Sequence, residues 1–347
     1  MIEVLKHGVI LGKTDFGFES AGVLNPAVIK EGHFVHVFYR AVRNGNYSTI
    51  GYCCLNGPLT IYDRYDMPVL FPQGEHESHG IEDPRISKID GLYYLTYTAY
   101  DGTNALGAYA TSEELSHFEK KGILTPQITF DDFRHLAESH TPLNEKYLRF
   151  NGYSSIHSET DNKRLLWSKN IVFFPRRIQG KLHFLQRIKP DIQLVAIERI
   201  EELTASFWEN YIMHFQEHIV LEPTFEHEVS YIGGGCPPIE TEHGWLLIYH
   251  GVHDTQKGYV YSACVALLDL EDPRKEIARL PYPLFKPEFA WELRGEVNNV
   301  CFPTGTALFD DNLYIYYGAA DESIACASVN FPALLAELLL NPKINIK

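Results

Sequence analysis

The stretch Ile81-Glu82-Asp83-Pro84-Arg85-Ile86, continued by Lys88-Ile89-Asp90-Gly91-Leu92-Tyr93-Tyr94-Leu95-Thr96-Tyr97, decides the fold. An acidic residue precedes a proline, a short strand runs into an Asp-Gly turn, and an aromatic strand runs out. Asp-Gly between two alternating apolar runs is a strong hairpin signal. Asp83 stands where the chain enters the sheet from a loop, a place from which a carboxylate faces a cleft. Read alone, Asp83 is equally a turn-initiating Asp before Pro.

The same order recurs four more times. Asn25-Pro26 leads through Glu31-Gly32 to Tyr39-Arg40, and Phe174-Pro175 through Gln179-Gly180 to Gln186-Arg187. Pro237-Pro238 leads through His243-Gly244 to Tyr249-His250, and Phe302-Pro303 through Asp311-Asn312 to Tyr317-Gly318. The prolines at 26, 84, 175, 238 and 303 are spaced by 58, 91, 63 and 65 residues. Repeated four-stranded units at such spacing predict an all-β fold, a five-bladed β-propeller, with room for inter-blade loops. A β-sandwich of unrelated hairpins is the competing arrangement. The chain reads as one domain, 1–347. The longest step places an irregular loop or lid at about 125–165. Pro332 to Leu340 reads as a short amphipathic C-terminal helix, about 331–341, on the outside of a blade.

Composition narrows the function. The chain has 347 residues, 45% apolar and 13% aromatic, with 21 Tyr and 20 Phe, which suits strands. A formal charge of −15 argues against nucleic acid. No apolar run is long enough to span a membrane, and the N-terminus reads as lacking a signal peptide. The six cysteines, scattered through apolar strands, read as buried free thiols. These features lead us to expect a cytoplasmic protein.

In a propeller, equivalent positions of each blade meet at the axis. Residues before each Pro and at the end of each aromatic strand then converge on one mouth. That gathers Asn25, Arg40, Asp83, Arg187, His250 and Asp321, the composition of a site for a polar ligand. Asp83 is the candidate general acid, expected to hold a proton near neutral pH in a partly desolvated cleft. Arg85 shares its strand face but lies deeper. Lys169, Asn170, Arg187 and His250 suit an oxyanion such as phosphate; the plain alternative is solvated surface charge. Arg176-Arg177 reads as exposed. His76, His79, His135, His140 and His157 show no metal-ligand spacing, so neither a metal nor a cofactor is expected. Gly233-Gly234-Gly235 enters a strand rather than a helix, unlike a nucleotide loop. Glu228, in Phe225-Glu226-His227-Glu228, is either a base for water or a loop carboxylate.

These motifs resemble glycoside hydrolase family 130, the mannoside phosphorylases and mannosidases, over nearly the whole chain. The resemblance rests on Ile81 to Arg85, Lys169-Asn170 with Phe174-Pro175 and Arg187, Gly233 to Pro238, Gly244 to Gly251, and Tyr317 to Asp321. It implies a five-bladed propeller that cleaves β-mannosidic bonds with inversion. Asp83 would be the acid, protonating the glycosidic oxygen through a sugar hydroxyl. Asn25, Arg40 and Asp321 would surround the mannose. Lys169, Asn170, Arg187, His250 and Tyr261 would surround phosphate. Two departures weaken the cationic set: phosphorylases commonly have Arg at the place of Lys169 and Lys at the place of Tyr231.

The first reading is therefore phosphorolysis of a β-1,2- or β-1,4-linked mannoside, with inorganic phosphate as co-substrate. The alternative is an inverting β-mannosidase with Glu228 as base, which needs acid and base about 6.5–9.5 Å apart. A non-catalytic glycan-binding propeller is a lesser alternative, and a protein-binding scaffold a weaker one. The oligosaccharide and phosphate are the expected partners. A homo-oligomer, in which a neighbouring subunit completes the aglycone side, is left open.

Overall fold

The computed structural model describes residues 2–151 and 164–343; His157 and part of the expected 125–165 loop lie outside the described residues. The fold is all-β, built from antiparallel meanders in which each strand pairs with the next. The first unit is Gly22–Glu31, Phe34–Arg43, Tyr47–Asn56 and Thr60–Arg64. The second is Gly80–Ile89, Leu92–Tyr100, Ala105–Ser112 and Glu119–Ile123. A single parallel bridge, Ser48 to Gly80, joins the two. The third unit is Lys169–Phe173, Leu182–Arg187, Ile192–Ile197 and Ile219–Leu221. The fourth is Tyr231–Gly234, Gly244–Thr255, Gly258–Leu268 and Glu276–Arg279, with Ile239–Thr241 also pairing along Gly244–Thr255. The fifth takes Cys301–Phe309, Asn312–Ala319 and Ser323–Asn330, and its outer strand is the N-terminal Val4–Leu11, paired Val4 to Val329. One sheet thus holds both ends of the chain.

Two turns, Asp90-Gly91 and Gln179-Gly180, are where the sequence places them; the other three are displaced by one residue, to Gly32-His33, Glu242-His243 and Asp310-Asp311, because Glu31, Gly244 and Asn312 pair within their strands. Asp90 is left-handed at φ 52° and Gly91 at φ 85°, with Ile89 paired to Leu92 across them. The expected equivalence fails in the third and fourth units: in the fourth, Gly233 pairs with His250 and Pro237-Pro238 lie beyond the inner strand. The third differs likewise. There the irregular inner position is Asn170, followed by Ile171, and Pro175 lies beyond the end of the strand. Proline cannot donate to a ladder, so it sits comfortably at either place, and its position alone does not fix the register.

Four units share a buried trio that explains their aromatic strands. Tyr39 Oη donates to Glu19 Oε2 at 2.7 Å, and Arg64 sits 2.8 Å from the other oxygen. Tyr97, Glu77 and Lys120 repeat this in the second unit, and Tyr249, Glu228 and Arg279 in the fourth. In the fifth, Tyr317 donates to Glu292 at 2.7 Å, and Lys6 of the closing strand pairs with it at 2.8 Å. Each tyrosine lies on the second strand and each cation on the outer one. The third unit has Gln186 at this place, hydrogen bonded to Ser168. A buried carboxylate with both oxygens partnered and a cation beside it is a fixed structural element, since removing one member strands the rest.

Strand alternation then does the positioning. The residue after each trio tyrosine points the other way. Those residues are Arg40, Thr98, His250 and Gly318, with Arg187 following Gln186.

The 125–165 region is not all loop. Thr129 caps a helix, Phe130–Ala137, through a reciprocal capping box with Asp132. A second helix, Lys146–Asn151, follows. Phe130, Phe133 and Ala137 bury one face. The Thr129-x-x-Asp132 pattern was the available signal. At the C-terminus a helix runs Phe331–Leu339, capped by Asn330, with Leu334 and Leu338 fully buried. The six cysteines are free and buried. No described helix is long and apolar enough to cross a membrane.

Candidate active site

Three inner strands break register at one level: between Leu24 and Ala27, between Glu82 and Arg85, and between Lys169 and Val172. At these bulges Asn25, Asp83 and Asn170 adopt left-handed backbone, φ 51°, 52° and 56°. Asn and Asp tolerate that region better than other side-chain-bearing residues. A bulge re-aims side chains, and strained backbone of this kind concentrates at functional sites. Asn25 Nδ2 reaches across from the first unit to Asp83 Oδ1 at 2.7 Å. Gly318 makes room for this contact, because a Cβ there would lie 2.0 Å from Asn25 Oδ1.

Arg40 gathers the acidic side. Its guanidinium is 2.9 Å from Glu82 Oε1 and 3.6 Å from Asp83 Oδ1, and its Nε donates to Ser48 Oγ at 2.8 Å. Lys169 Nζ is 3.3 Å from Glu82 Oε2. Glu82 was missed by sequence reasoning. In a regular strand neighbours point to opposite faces, yet the bulge turns both Glu82 and Asp83 toward Arg40. Arg85 does lie deeper. It is fully buried, donates to Gly235 O at 2.5 Å, and also binds the Asp83 and Pro84 carbonyls.

The protonation pattern differs from the sequence expectation. Burial pushes Asp83 up, but Arg40, Lys169 and the Asn25 hydrogen bond outweigh it and hold the carboxyl below its ordinary range. Asp321 is the carboxyl pushed up, to about 6, by burial and then by repulsion from Asp83.

The cationic side lies across Lys169. Arg187 donates to His250 Nε2 at 3.2 Å. His250 is fully buried, and burial, Arg187, Arg85 and Lys189 push it well below its usual range, so it is neutral. His250 Nδ1, Arg187 Nε and Asn170 Oδ1 are buried without a hydrogen-bond partner among the described residues. Tyr231 and Tyr261 share a hydroxyl contact of 2.5 Å. Gly233 leaves the space these groups fill: a Cβ there would lie 2.5 Å from His250 Cε1 and 2.8 Å from Arg187 Cδ. The glycine run is therefore strand backbone that yields room.

Lys189 was also missed, although it stands two residues past Arg187. Its Nζ lies 3.7 Å from the centre of the Tyr231 ring. Burial, Arg187 and Lys169 push it down to about 6. Two cavities meet at Lys169 and Trp167. One, about 540 Å³, is lined also by Arg187 and Lys189; the other, about 580 Å³, by Arg40, Glu82 and Asp321.

Glu228 does not join either group. It is fully buried in the fourth unit's trio, held by Tyr249, Arg279 and the Thr224 and Phe225 amides. His227, Glu228 and Cys264 bring donor atoms within 4.8 Å of one another. Arg279 already neutralises Glu228, and burial holds the Cys264 thiol well above its usual range, so the cluster is poorly suited to a cation. Arg176 and Arg177, read as exposed, are at the surface, where they pair with Glu240 at 2.6 Å and Asp90 at 2.7 Å of neighbouring units.

Comparison with known proteins places this arrangement. A 1,2-beta-oligomannan phosphorylase of Thermoanaerobacter sp. (strain X514) is 33% identical over 331 residues, covering 92% of this chain and 93% of the relative. A beta-1,2-mannobiose phosphorylase of the same organism is 33% identical over 325 residues, covering 90% and 91%. The solved structure of beta-1,2-mannobiose phosphorylase from Listeria innocua, in complex with beta-1,2-mannobiose, superposes with a TM-score of 0.74 over 98% of this chain and all of that one. At 20% identity, that likeness speaks for the fold. The family model described as beta-1,4-mannooligosaccharide phosphorylase matches residues 13–338, and the chain belongs to glycoside hydrolase family 130.

Proposed function

We propose that this protein is an inverting β-mannoside phosphorylase built as a five-bladed β-propeller. Five meanders and the shared terminal sheet support the architecture. So do contacts between inner strands, such as Thr304 Oγ1 to Pro26 O at 2.7 Å and Arg85 to Gly235 O. The observation that carries the function is the pairing of one acid with a set of unsatisfied buried polar atoms, the Arg187 Nε and His250 Nδ1 donors among them. Asp83 is flanked by Arg40 and Lys169, and beyond them Arg187, Asn170 and His250 keep buried polar atoms free for a ligand.

Phosphorolysis needs one protein acid, because phosphate is the nucleophile. A phosphate oxygen attacks the anomeric carbon as the bond to the aglycone oxygen breaks. Asp83 supplies the proton that oxygen takes up, through a sugar hydroxyl. The products are α-mannose 1-phosphate and the acceptor sugar. Asn25 and Arg40 orient Asp83, and Asp321 with Arg40 faces the mannose. A phosphate dianion beside Lys169 adds negative charge near Asp83 and offsets a cation that lowers its pKa. Both effects raise the affinity of Asp83 for a proton, so phosphate binding readies the acid. The hydrolytic alternative needs a free base near Asp83, and Glu228 is committed to its trio.

The two full-length relatives favour the β-1,2 linkage. Incubation with β-1,2- and β-1,4-mannobiose, each with and without phosphate, tests the reading. Phosphate-dependent turnover of the β-1,2 substrate is expected. Equal turnover of both linkages would remove the linkage assignment, and phosphate-independent turnover would remove phosphorolysis.

A further inference from the structure

Lys189 is a half-buried lysine on a wall it shares with Lys169 and Arg187. Among the described residues it makes no ion pair with a carboxylate. Its ammonium nitrogen rests on the Tyr231 ring, and Arg187 covers the same ring with its guanidinium carbon 5.4 Å from the centroid. Phe150 closes on Tyr231 edge-on, with ring centres 5.8 Å apart. An aromatic face is a weak substitute for a counter-ion, worth far less than a carboxylate. Two basic side chains thus share one ring, with orphaned donor atoms at Arg187 and His250 beside them.

We propose that Lys189 is a phosphate-binding residue, delivering its ammonium to the same oxyanion as Arg187 from the side covered by Tyr231. This deepens the phosphorylase reading and rests on it. The groups facing Lys189 are Arg187 and Lys169 as cations, His250 as a neutral imidazole, and the Tyr231–Tyr261 hydroxyl pair. Asp131, Asp132 and Arg164 line the same cavity. Burial and the two cations favour the neutral amine, and an arriving dianion reverses that balance. Phosphate binding therefore draws a proton onto Lys189. Tyr231 is the seat that holds the amine in reach.

The test compares wild type, Lys189→Met and Lys189→Arg. Loss of one charge-assisted contact raises the phosphate KM of Lys189→Met about 10- to 100-fold, with a much smaller change in the mannoside KM. Lys189→Arg recovers most of that affinity. Titration of inorganic phosphate by calorimetry, in buffers of different ionisation enthalpy, adds a signature that a packing role cannot produce. Wild type takes up protons near neutral pH beyond those of phosphate itself, and both variants take up fewer, Met for want of a titrating group and Arg because it is always charged; any uptake by Asp83 is common to all three. If Lys189→Met folds poorly, Lys189→Arg still decides through proton uptake. Unchanged phosphate KM and proton uptake in the variants, with wild type still phosphate-dependent, overturn this inference alone. Phosphate-independent wild type overturns the reading beneath it.

Discussion

Two sets of buried charge sit a few residues apart along the same strands, and they are built oppositely. In the trios, typified by Tyr249, Glu228 and Arg279, both carboxylate oxygens are partnered and a cation neutralises the charge. At the candidate site, Asn25, Asp83 and Asn170 sit on left-handed bulges, and Asn25 Oδ1, Asn170 Oδ1, Arg187 Nε and His250 Nδ1 lack partners among the described residues. A satisfied buried network rigidifies; an unsatisfied one is held in readiness by its surroundings. The comparison teaches where chemistry is to be sought: at the incomplete set, supported by the complete one.

The sharpest way to break the contrast is to neutralise one acid from each set. Asp83→Asn keeps the Asn25 contact but removes the proton. It lowers kcat on β-1,2-mannobiose about 10²- to 10⁴-fold with little change in the thermal midpoint. Retained turnover would move the acid elsewhere. Glu228→Gln behaves in the opposite way. It removes the Glu228–Arg279 ion pair, although Glu276 still pairs with Arg279 at 2.8 Å, and weakens the Tyr249 and backbone-amide contacts. It destabilises by about 1–3 kcal/mol in urea unfolding, while turnover per folded molecule persists. Lost turnover at undiminished stability would restore Glu228 as a base.

A smaller effect sharpens the electrostatics. Asp321, raised to about 6, binds its proton more tightly folded than unfolded. Its contribution is thus greatest at low pH and is lost as pH rises from the ordinary carboxylate range through about 6. Partial exposure of its side chain limits the effect to about 2 kcal/mol. Asp321→Asn should flatten the pH dependence of the unfolding midpoint between about pH 4 and about pH 7, relative to wild type. An unchanged slope would mean that Asp321 titrates normally. Least in size, Gly318→Ala pushes Asn25 off Asp83 and lowers kcat roughly tenfold, a misplacement effect rather than a folding one. Undiminished kcat would show that the Asn25–Asp83 contact is dispensable.

What could be read from the sequence follows the same division. Turns such as Asp90-Gly91 are local chemistry, and their positions were legible to within one residue. So was the gathering of Asn25, Asp83 and Arg40, because it follows from repetition. The trios were not legible as such. Tyr317 and Glu292 are 25 residues apart and Lys6 is 286 residues from Glu292. Two of the four do carry a Glu-His-Glu echo, at Glu75 to Glu77 and Glu226 to Glu228. Glu82 stayed hidden because a bulge reverses the alternation on which a strand reading depends. Lys189 stayed hidden because its neighbour is an aromatic ring from another unit. The Phe130–Ala137 helix was overlooked because its cap, not its short apolar pattern, announces it.

The most direct measurement is the anomeric product itself, followed by ¹H and ³¹P NMR as the enzyme consumes β-1,2-mannobiose in phosphate. The account predicts α-mannose 1-phosphate as the first product, at a rate that rises with phosphate and vanishes without it. Free mannose, released at the same rate in phosphate and phosphate-free buffer, would contradict it.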